Sequence, residues 1–288
     1  MKRALLPALA LLALPLAALA QPTPPTFAYS ANAGWINVAP LPNTYIDINE
    51  TFLGGYVYGA NIGWISMGDG TPANGYSYAN NSAPDFGVNQ DGAGNLSGYA
   101  YGANIGWINF QWTADLNDPN RPHFDLTTGA FHGFAYSANC GWVNLGTGYF
   151  AVQNINRPDT DHDGIDDNWE RKWFGNLTTA GLGTDADHDG VSDAAEAIAD
   201  TDPLDAADYL KIVSHTYAGG QTQVALVFTT QPTRFYRIQH STDLVTWLDS
   251  GLATFAPDAG ATTARGFTFT GSARHFFRAV AVLPLPAP

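Results

Sequence analysis

The chain contains one cysteine, Cys140, in 288 residues, so no disulfide can form within it. Basic residues are scarce as well. Twelve Lys and Arg stand against 26 Asp and Glu, a formal net charge of −14. That balance excludes nucleic acid as an expected partner, because phosphate binding needs basic surface. Beyond the first twenty residues there is no long apolar run, and residues 283–288, LPLPAP, are short and proline-rich. No transmembrane segment is therefore expected in the mature chain. Catalytic signatures are missing too: no G-x-S-x-G, H-E-x-x-H or phosphate-binding loop occurs. Seven histidines, His123, His132, His162, His188, His215, His240 and His275, are scattered without metal-ligand spacing. His123 with Asp125, and His240 with Asp243, are close pairs with no assignable nucleophile. Asp115 with Asp118 is a carboxylate pair, but a glycosidase needs two carboxyls across a cleft, which spacing does not define. A non-enzymatic role is expected.

What is present begins with a leader. Residues 1–20, MKRALLPALALLALPLAALA, start with Lys2 and Arg3, continue through an apolar stretch to Leu16, and end on the small-x-small site Ala18-Leu19-Ala20. Pro7 and Pro15 interrupt the run, and it is shorter than the ~20 residues a span needs. The mature chain is expected to begin near Gln21 and to be secreted, to the periplasm, the cell surface or the medium. An exported chain without disulfides needs other cross-links, and metal ions are the natural substitute.

The charge is local. Residues 159–208 hold 15 of the 26 acids and only Arg171 and Lys172 as bases, whereas the rest of the mature chain has 11 acids against 8 bases. A cluster of acids beside glycines points to cation ligands. Two twelve-residue segments carry the pattern: Asp159 to Glu170, DTDHDGIDDNWE, and Asp185 to Glu196, DADHDGVSDAAE. Both place acids at positions 1, 3, 5, 9 and 12, with glycine at 6 and an aliphatic residue at 7, the D-x-D-x-D-G loop closed by glutamate. Calcium takes 6–8 oxygens at roughly 2.3–2.6 Å. Asp159, Asp161 and Asp163 offer carboxylate oxygens, Ile165 a backbone carbonyl, Asp167 a direct or water-mediated contact, and Glu170 both of its oxygens. Asp185, Asp187, Asp189, Val191, Asp193 and Glu196 repeat these roles. Two Ca²⁺ ions are expected, with Asp200, Asp202 and Asp205 as candidates for a third. His162 and His188, at position 4, are expected to face solvent. Pro158 rules out an entering helix, while Asp167–Phe174 and Asp193–Ala199 fit exiting helices.

With DTDHDGIDDNWE, DADHDGVSDAAE and the trailing Asp200-Thr-Asp-Pro-Leu-Asp205, the segment 157–208 resembles thrombospondin type 3 repeats, with EF-hand-like calcium loops, of bacterial secreted proteins. The resemblance implies a structural role in which calcium stiffens a flexible connector. Dockerins share the loop type but usually end it on aspartate, unlike Glu170 and Glu196.

Internal repeats fill residues 27–145: FAYSANAGWINV from Phe27, GYVYGANIGWISM from Gly55, GYAYGANIGWINF from Gly98 and GFAYSANCGWVNL from Gly133. Their tryptophans, Trp35, Trp64, Trp107 and Trp142, are 29, 43 and 35 residues apart, as expected of equivalent units with loop insertions. Alternating aromatic and β-branched residues predict strands. Short strands at 45–48, 86–88 and 124–126 read as the leading halves of hairpins completed by the later repeats. The segment Gly148 to Val152 reads as the strand that the first repeat lacks. A small closed barrel or curled sheet over 21–156 follows, with an open repeat stack as the alternative. Asn32, Asn61, Asn104 and Asn139 are read as turn or bulge residues, and Cys140 as a small packed side chain in the position of Ala33, Ile62 and Ile105. The tryptophans fit two readings. Packing in the core is the favoured one; the other is a repeated aromatic surface for a polysaccharide or a surface protein.

Residues 209–283 return to strands, expected at Tyr209–His215, Gln223–Thr229, Phe235–His240, Gly266–Thr270 and His275–Val282, in a small antiparallel sandwich. With Arg234-Phe-Tyr-Arg-Ile-Gln-His-Ser-Thr-Asp-Leu244, Trp247 and Arg274-His-Phe-Phe-Arg278, this region resembles fibronectin-type-III-like sandwiches, which implies a spacer or attachment module. Arg234, Arg237, Arg274 and Arg278 are read as solvated strand residues, with a basic patch as the alternative. Residues 284–288 are read as a proline-rich tail. The whole is a mainly β protein with a structural, adhesive or ligand-binding role. The rival is a carbohydrate-active enzyme or its carbohydrate-binding accessory module.

Overall fold

The computed structural model of the chain describes residues 26–39, 46–219, 222–269 and 274–285. The expected leader and residues 286–288 lie outside them. In chain order the strands of the first region are β1 (Phe27–Ser30), β2 (Gly34–Asn37), β3 (Asp47–Ile48), β4 (Leu53–Gly59), β5 (Gly63–Gly68), β6 (Val88–Gln90), β7 (Leu96–Gly102), β8 (Gly106–Asn109), β9 (His123–Phe124), β10 (Phe131–His132), β11 (Phe134–Ser137) and β12 (Gly141–Asn144).

Each repeat is itself a hairpin: β1–β2, β4–β5, β7–β8 and β11–β12. The A-N-x-G segment reverses the chain. Ile62 N–H donates to the Gly59 carbonyl at 3.1 Å and Ile105 N–H to Gly102 at 3.1 Å. The next residue, Gly34, Gly63, Gly106 or Gly141, takes φ between 70° and 78°, where a three-residue hairpin loop needs a left-handed residue. The expected leading strands form further antiparallel hairpins with the repeats: β3 pairs with the start of β4, β6 with the start of β7, and β9 with β10, just before the fourth repeat.

The four hairpins close an eight-stranded antiparallel barrel, in the order β2-β1-β12-β11-β8-β7-β5-β4 with β4 back on β2. The registers between hairpins are equivalent: Ile36↔Gly59, Ile65↔Gly102, Ile108↔Ser137 and Val143↔Ser30. Closure comes from β2 meeting β4, which removes the free edges. The segment after the last repeat does not enter the barrel wall. Phe150 bridges Thr26, Ala151 bridges Ala130, and Tyr149 accepts from Phe27 N–H, so it caps the end away from the turns.

Inside the barrel lie Ala28, Ile36, Val57, Ile65, Ala100, Ile108, Ala135 and Val143, all buried, around a residual void of about 30 Å³. An eight-stranded barrel is just wide enough for side chains to fill it. At the turn end Ala33, Ile62, Ile105 and Cys140 plug the barrel, all buried. Their sizes are matched by the strand residue three positions earlier: Ser30 before Ala33, Gly59 before Ile62, Gly102 before Ile105, Ser137 before Cys140. A Cβ on Gly59 would lie 2.5 Å from Ile62 Cγ1, and one on Gly102 2.8 Å from Ile105 Cγ1. Cys140 is thus the packed residue expected of its position.

The four repeat asparagines do more than shape their own turns. Asn61 Nδ2 donates to the Ala33 carbonyl at 3.1 Å, Asn104 to Ile62 at 3.1 Å, Asn139 to Ile105 at 2.9 Å and Asn32 to Cys140 at 3.3 Å. Every turn is tied to the preceding one and the first to the last, a ring of four hydrogen bonds.

Two short helices follow among the described residues, α1 (Asp167–Phe174) and α2 (Asp193–Ala199), at the expected bounds. Asp166 caps α1, accepting from Asn168 N–H, and Ser192 caps α2, accepting from Ala195 N–H. The last region contains β13 (Ile212–Ala218), β14 (Gln223–Thr229), β15 (Phe235–Ser241), β16 (Leu248–Asp249), β17 (Thr262–Thr268) and β18 (Phe276–Val282). They form two three-stranded sheets, β13-β14-β17 and β16-β15-β18. Val224, Leu226, Phe228, Tyr236, Ile238 and Phe267 share their core. β17 starts four residues before its expected position, and β16 has no counterpart in the expectations.

Three regions meet at Glu50, between β3 and β4. Its Oε1 takes Arg157 Nε at 2.6 Å and its Oε2 takes Arg234 Nη2 at 3.1 Å. Arg234, read from sequence as a surface residue, is buried. It also donates to the Ile198 and Ala197 carbonyls at 2.8 and 3.1 Å. Arg157 donates to the Pro284 and Leu285 carbonyls, and Leu285 is buried in the barrel core. The stretch expected to be a free tail therefore begins as an anchor.

Candidate metal centre

The two acidic loops fold alike because their sequences carry the same local bonds. In the first, Asp159 accepts from Asp163 N–H at 3.1 Å and Gly164 N–H at 3.0 Å, and Asp163 accepts from Ile165 N–H at 2.9 Å. In the second, Asp185 accepts from His188 N–H at 2.8 Å and Gly190 N–H at 3.0 Å, and Asp189 accepts from Val191 N–H at 2.7 Å. Gly164 and Gly190 take φ of 88° and 95°, which wraps the chain tightly enough to turn successive carboxylates inward. His162 and His188 both take φ of 65° and are exposed, the outward position expected of them.

Carboxylate oxygens of Asp159, Asp161 and Asp163 lie within 4.8 Å of one another, and so do those of Asp185, Asp187 and Asp189. Glu170 and Glu196, on the first turns of α1 and α2, are fully buried. Neither Glu170 oxygen has a hydrogen-bond donor. The same holds for Glu196 Oε2, Asp163 Oδ2, Asp187 Oδ2 and Asp189 Oδ2. Buried polar atoms are almost always paired, so unpartnered carboxylate oxygens in two matching loops mark missing positive charge. Burial first, then the charges of Asp163, Asp161, Asp167 and Asp159, push the Glu170 carboxyl up to about 7. Burial pushes Glu196 up to about 7 as well, against a Thr201 hydrogen bond and with Asp187, Asp189 and Asp193 adding to it. Burial also raises Asp187. The donors are all hard oxygens, the set that suits a divalent ion of the calcium type.

Position 9 is placed differently from the others. Asp167 accepts from Thr160 N–H at 2.7 Å, from Thr160 Oγ1 at 2.6 Å and from Arg171 Nη2 at 3.2 Å. Asp193 Oδ1 accepts from Ala186 N–H at 3.0 Å, while its Oδ2 is buried without a donor and stays available to an ion. These aspartates brace position 2 of their loops. The side chain of Ile165 enters a small core with Trp169 and Ala180, against which Ala194 and Ala197 pack. Asp200, Asp202 and Asp205 form no third carboxylate cluster among the described residues. Asp200 accepts from Thr233 Oγ1 in the last region, while Asp202 and Asp205 shape turns by accepting from Leu204 N–H and Ala207 N–H.

The tryptophans lie outside the barrel, contrary to the packing reading. Trp35, Trp64, Trp107 and Trp142 are 46–50% exposed. Each sits opposite a tyrosine of its own hairpin, with ring centroids 4.9–5.1 Å apart: Tyr29, Tyr58, Tyr101 and Tyr136. Four indoles cannot enter a bore that Ala, Val and Ile already fill. Most of the candidate catalytic carboxylates and His123 are tied into turns or the backbone, whereas His240 Nδ1 is buried without a hydrogen-bond partner. Asp115 and Asp118 accept from Asn117 and Asn120 N–H, His123 Nδ1 pairs with the Arg121 carbonyl, and Asp243 accepts from Val245 and Thr246 N–H. No helix of the described residues is long and apolar enough to cross a membrane.

Three elements had no signal in the sequence. Thr160 occupies a loop position with no ligand role, Thr201 follows a helix end, and Glu50 is a lone acid in a nearly neutral region. Comparison with family models, with curated proteins and with solved structures finds no match to this chain.

Proposed function

We propose that this is a secreted calcium-binding protein whose two ions stiffen the connector between an aromatic barrel and a C-terminal sandwich, so that the barrel is displayed as a binding surface. One observation carries the reading: each loop combines three converging aspartates with a buried glutamate that has at least one oxygen without a donor. Glu170, Glu196 and the position 1, 3 and 5 aspartates hold the ions, with Ile165 and Val191 offering carbonyls and Asp167 and Asp193 supporting the loops. The thrombospondin type 3-like reading of 157–208 fits this role, and the fibronectin-type-III-like reading of 209–283 fits an attachment or spacer module. The rival, a carbohydrate-active enzyme or its accessory module, draws its support from the exposed tryptophans and none from a catalytic set.

Calorimetric titration of chelator-stripped protein with calcium tests it. Two ions are expected to bind the wild type and one the Glu170→Gln variant. Absence of heat from the wild type, or identical isotherms for both, would overturn the assignment.

A further inference from the structure

The insertion between β5 and β6 turns one of the four outer tryptophans into the floor of a walled site. Tyr78 anchors the insertion. It is buried, with Gly70 N–H donating to its hydroxyl at 2.7 Å. A Cβ on Gly68 or Gly87 would lie 2.6 or 2.2 Å from the Tyr78 ring, so only glycine fits beside it. The segment 79–87 is then fixed by its own bonds. Asp85 accepts from Ala73 N–H at 3.2 Å and Ala79 N–H at 3.1 Å, Asn80 N–H donates to the Asp85 carbonyl at 3.0 Å, and Asn80 Oδ1 accepts from Gly87 N–H at 3.1 Å. A Cβ on Gly98 would meet Asn80 Nδ2 at 2.7 Å and the Gly87 carbonyl at 2.3 Å. The wall therefore stands tight against β7 and is preorganised.

Between this wall and the barrel is a cavity of about 440 Å³, floored by Trp107, Tyr99 and Phe86 and walled by Asn80, Asn81 and Ser82. The volume lies in the range of small-molecule sites. The Phe86 ring meets Trp107 at 5.0 Å and 87°, beside Tyr101, which meets the indole at 4.9 Å and Phe86 at 6.2 Å. Among the described residues the Trp107 indole N–H, the Asn81 amide and the Ser82 hydroxyl make no hydrogen bond, and Asn81 and Ser82 are exposed. No charged side chain lines the cavity; Asp85, the nearest in sequence, is spent on the wall. Neutral amide and hydroxyl groups above a rigid aromatic floor match a ligand with an apolar C–H face rimmed by hydroxyls.

We propose that this cavity binds a neutral saccharide, with a pyranose ring stacked on Trp107 and its hydroxyls met by Asn81 and Ser82. The proposal rests on the reading of the barrel as a displayed surface and names its ligand class. The lack of a cationic side chain in the cavity disfavours acidic sugars. Trp64 is the internal control: it has the same hairpin setting, with Tyr58 at 5.1 Å and Tyr56 at 6.5 Å, but no part in this cavity.

The test is calorimetric titration of the full calcium-loaded chain with cellohexaose, xylohexaose, mannohexaose, chitohexaose and hexagalacturonate, each to about 10 mM, a ceiling that captures weak single-site binding. At least one neutral hexaose is expected to bind. Trp107→Ala should weaken that sugar about tenfold or more, as loss of an aromatic anchor does. Asn81→Ala, an exposed change that disturbs no packing, should weaken it severalfold, and Trp64→Ala should leave it within about twofold. No binding by any neutral sugar, tighter binding of hexagalacturonate, or equal losses in Trp64→Ala and Trp107→Ala would overturn the proposal. Melting of the same samples with and without calcium separates the two readings. A chain that calcium stabilises but no sugar binds sinks the saccharide site alone, and a chain indifferent to calcium sinks the connector.

Discussion

The barrel and the acidic connector are neighbours in sequence and are held together by opposite means. The barrel closes on itself through equivalent strand registers, fills its bore with Ala, Val and Ile, and ties its turns into a ring of amide hydrogen bonds. None of those contacts uses a charge. The connector has a core of three fully apolar positions, Ile165, Trp169 and Ala180, and places buried carboxylates against one another. On the reading proposed above, the connector would need a bound cation to hold these carboxylates together, whereas the barrel's contacts are all made within the chain. Calcium, salt and pH should therefore act on one region and leave the other nearly untouched.

The largest effect expected is from removing calcium. A ligand at a hundredfold excess over its Kd stabilises the folded state by about 2.7 kcal/mol per site, so two sites give about 5 kcal/mol. Scanning calorimetry should resolve a transition that chelator moves down and a second, from the barrel, that stays in place. Equal movement of both would break the contrast drawn here. The pH dependence should also change sign with the ion. In chelator, Glu170 and Glu196 have carboxyls raised to about 7 from 4.5. Their contribution is fully present below about pH 4.5 and is lost as pH rises through about 7. The metal-free connector should accordingly lose stability between those values. With calcium bound the carboxylates must be ionised, so stability should rise over the same interval. A calcium-free melting point that is flat from pH 4.5 to 7 would show that these glutamates are not each buried beside their own loop's aspartates.

Next in size is the junction. Burial alone would raise the Glu50 carboxyl, but Arg234 and Arg157 outweigh it and hold the group below the ordinary value. Glu50→Gln leaves two guanidinium groups without their counter-charge, and breaking a buried ion pair costs about 3–5 kcal/mol. Because Arg234 also holds the Ala197 and Ile198 carbonyls at the end of α2, the variant should loosen the sandwich from the connector. Limited proteolysis should then cut near 200–210 faster than in the wild type, with the barrel fragment left intact. An unchanged cleavage pattern would mean that Glu50 joins nothing of consequence.

The connector was the more legible of the two regions. The turn glycines, the convergence of the position 1, 3 and 5 aspartates and the helices Asp167–Phe174 and Asp193–Ala199 follow there from local order within a twelve-residue frame. In the barrel, the four-unit repeat announced strands, a closed sheet, the leading hairpin partners and a turn or bulge at each asparagine, but not that each repeat folds back on itself there to supply two neighbouring strands of the wall. The side taken by the tryptophans depends on bore diameter, which is a property of eight strands together rather than of any one strand. Glu50, Arg157 and Arg234 are separated by 107 and 77 residues, and no spacing rule links charges across three regions.

The smallest effect concerns the asparagine ring, and it distinguishes a closed unit from four separate bonds. Asn104→Ala removes the donor to the Ile62 carbonyl, a loss of about 1 kcal/mol for one hydrogen bond. Asn32→Ala removes the bond to Cys140 on the opposite side of the ring. Distant, uncoupled sites add to within about 0.3–0.5 kcal/mol. If each asparagine merely ties two turns, the double variant should cost the sum of the single ones in urea denaturation. If the ring holds the barrel end as a unit, the first break already frees the neighbouring turns, and the second should cost markedly less than the first. The equivalent registers and the unbroken direction of donation, each turn to the one before it, favour the second outcome. Strict additivity would reduce the ring to a repeated local contact and leave strand closure alone to account for the barrel's independence from calcium.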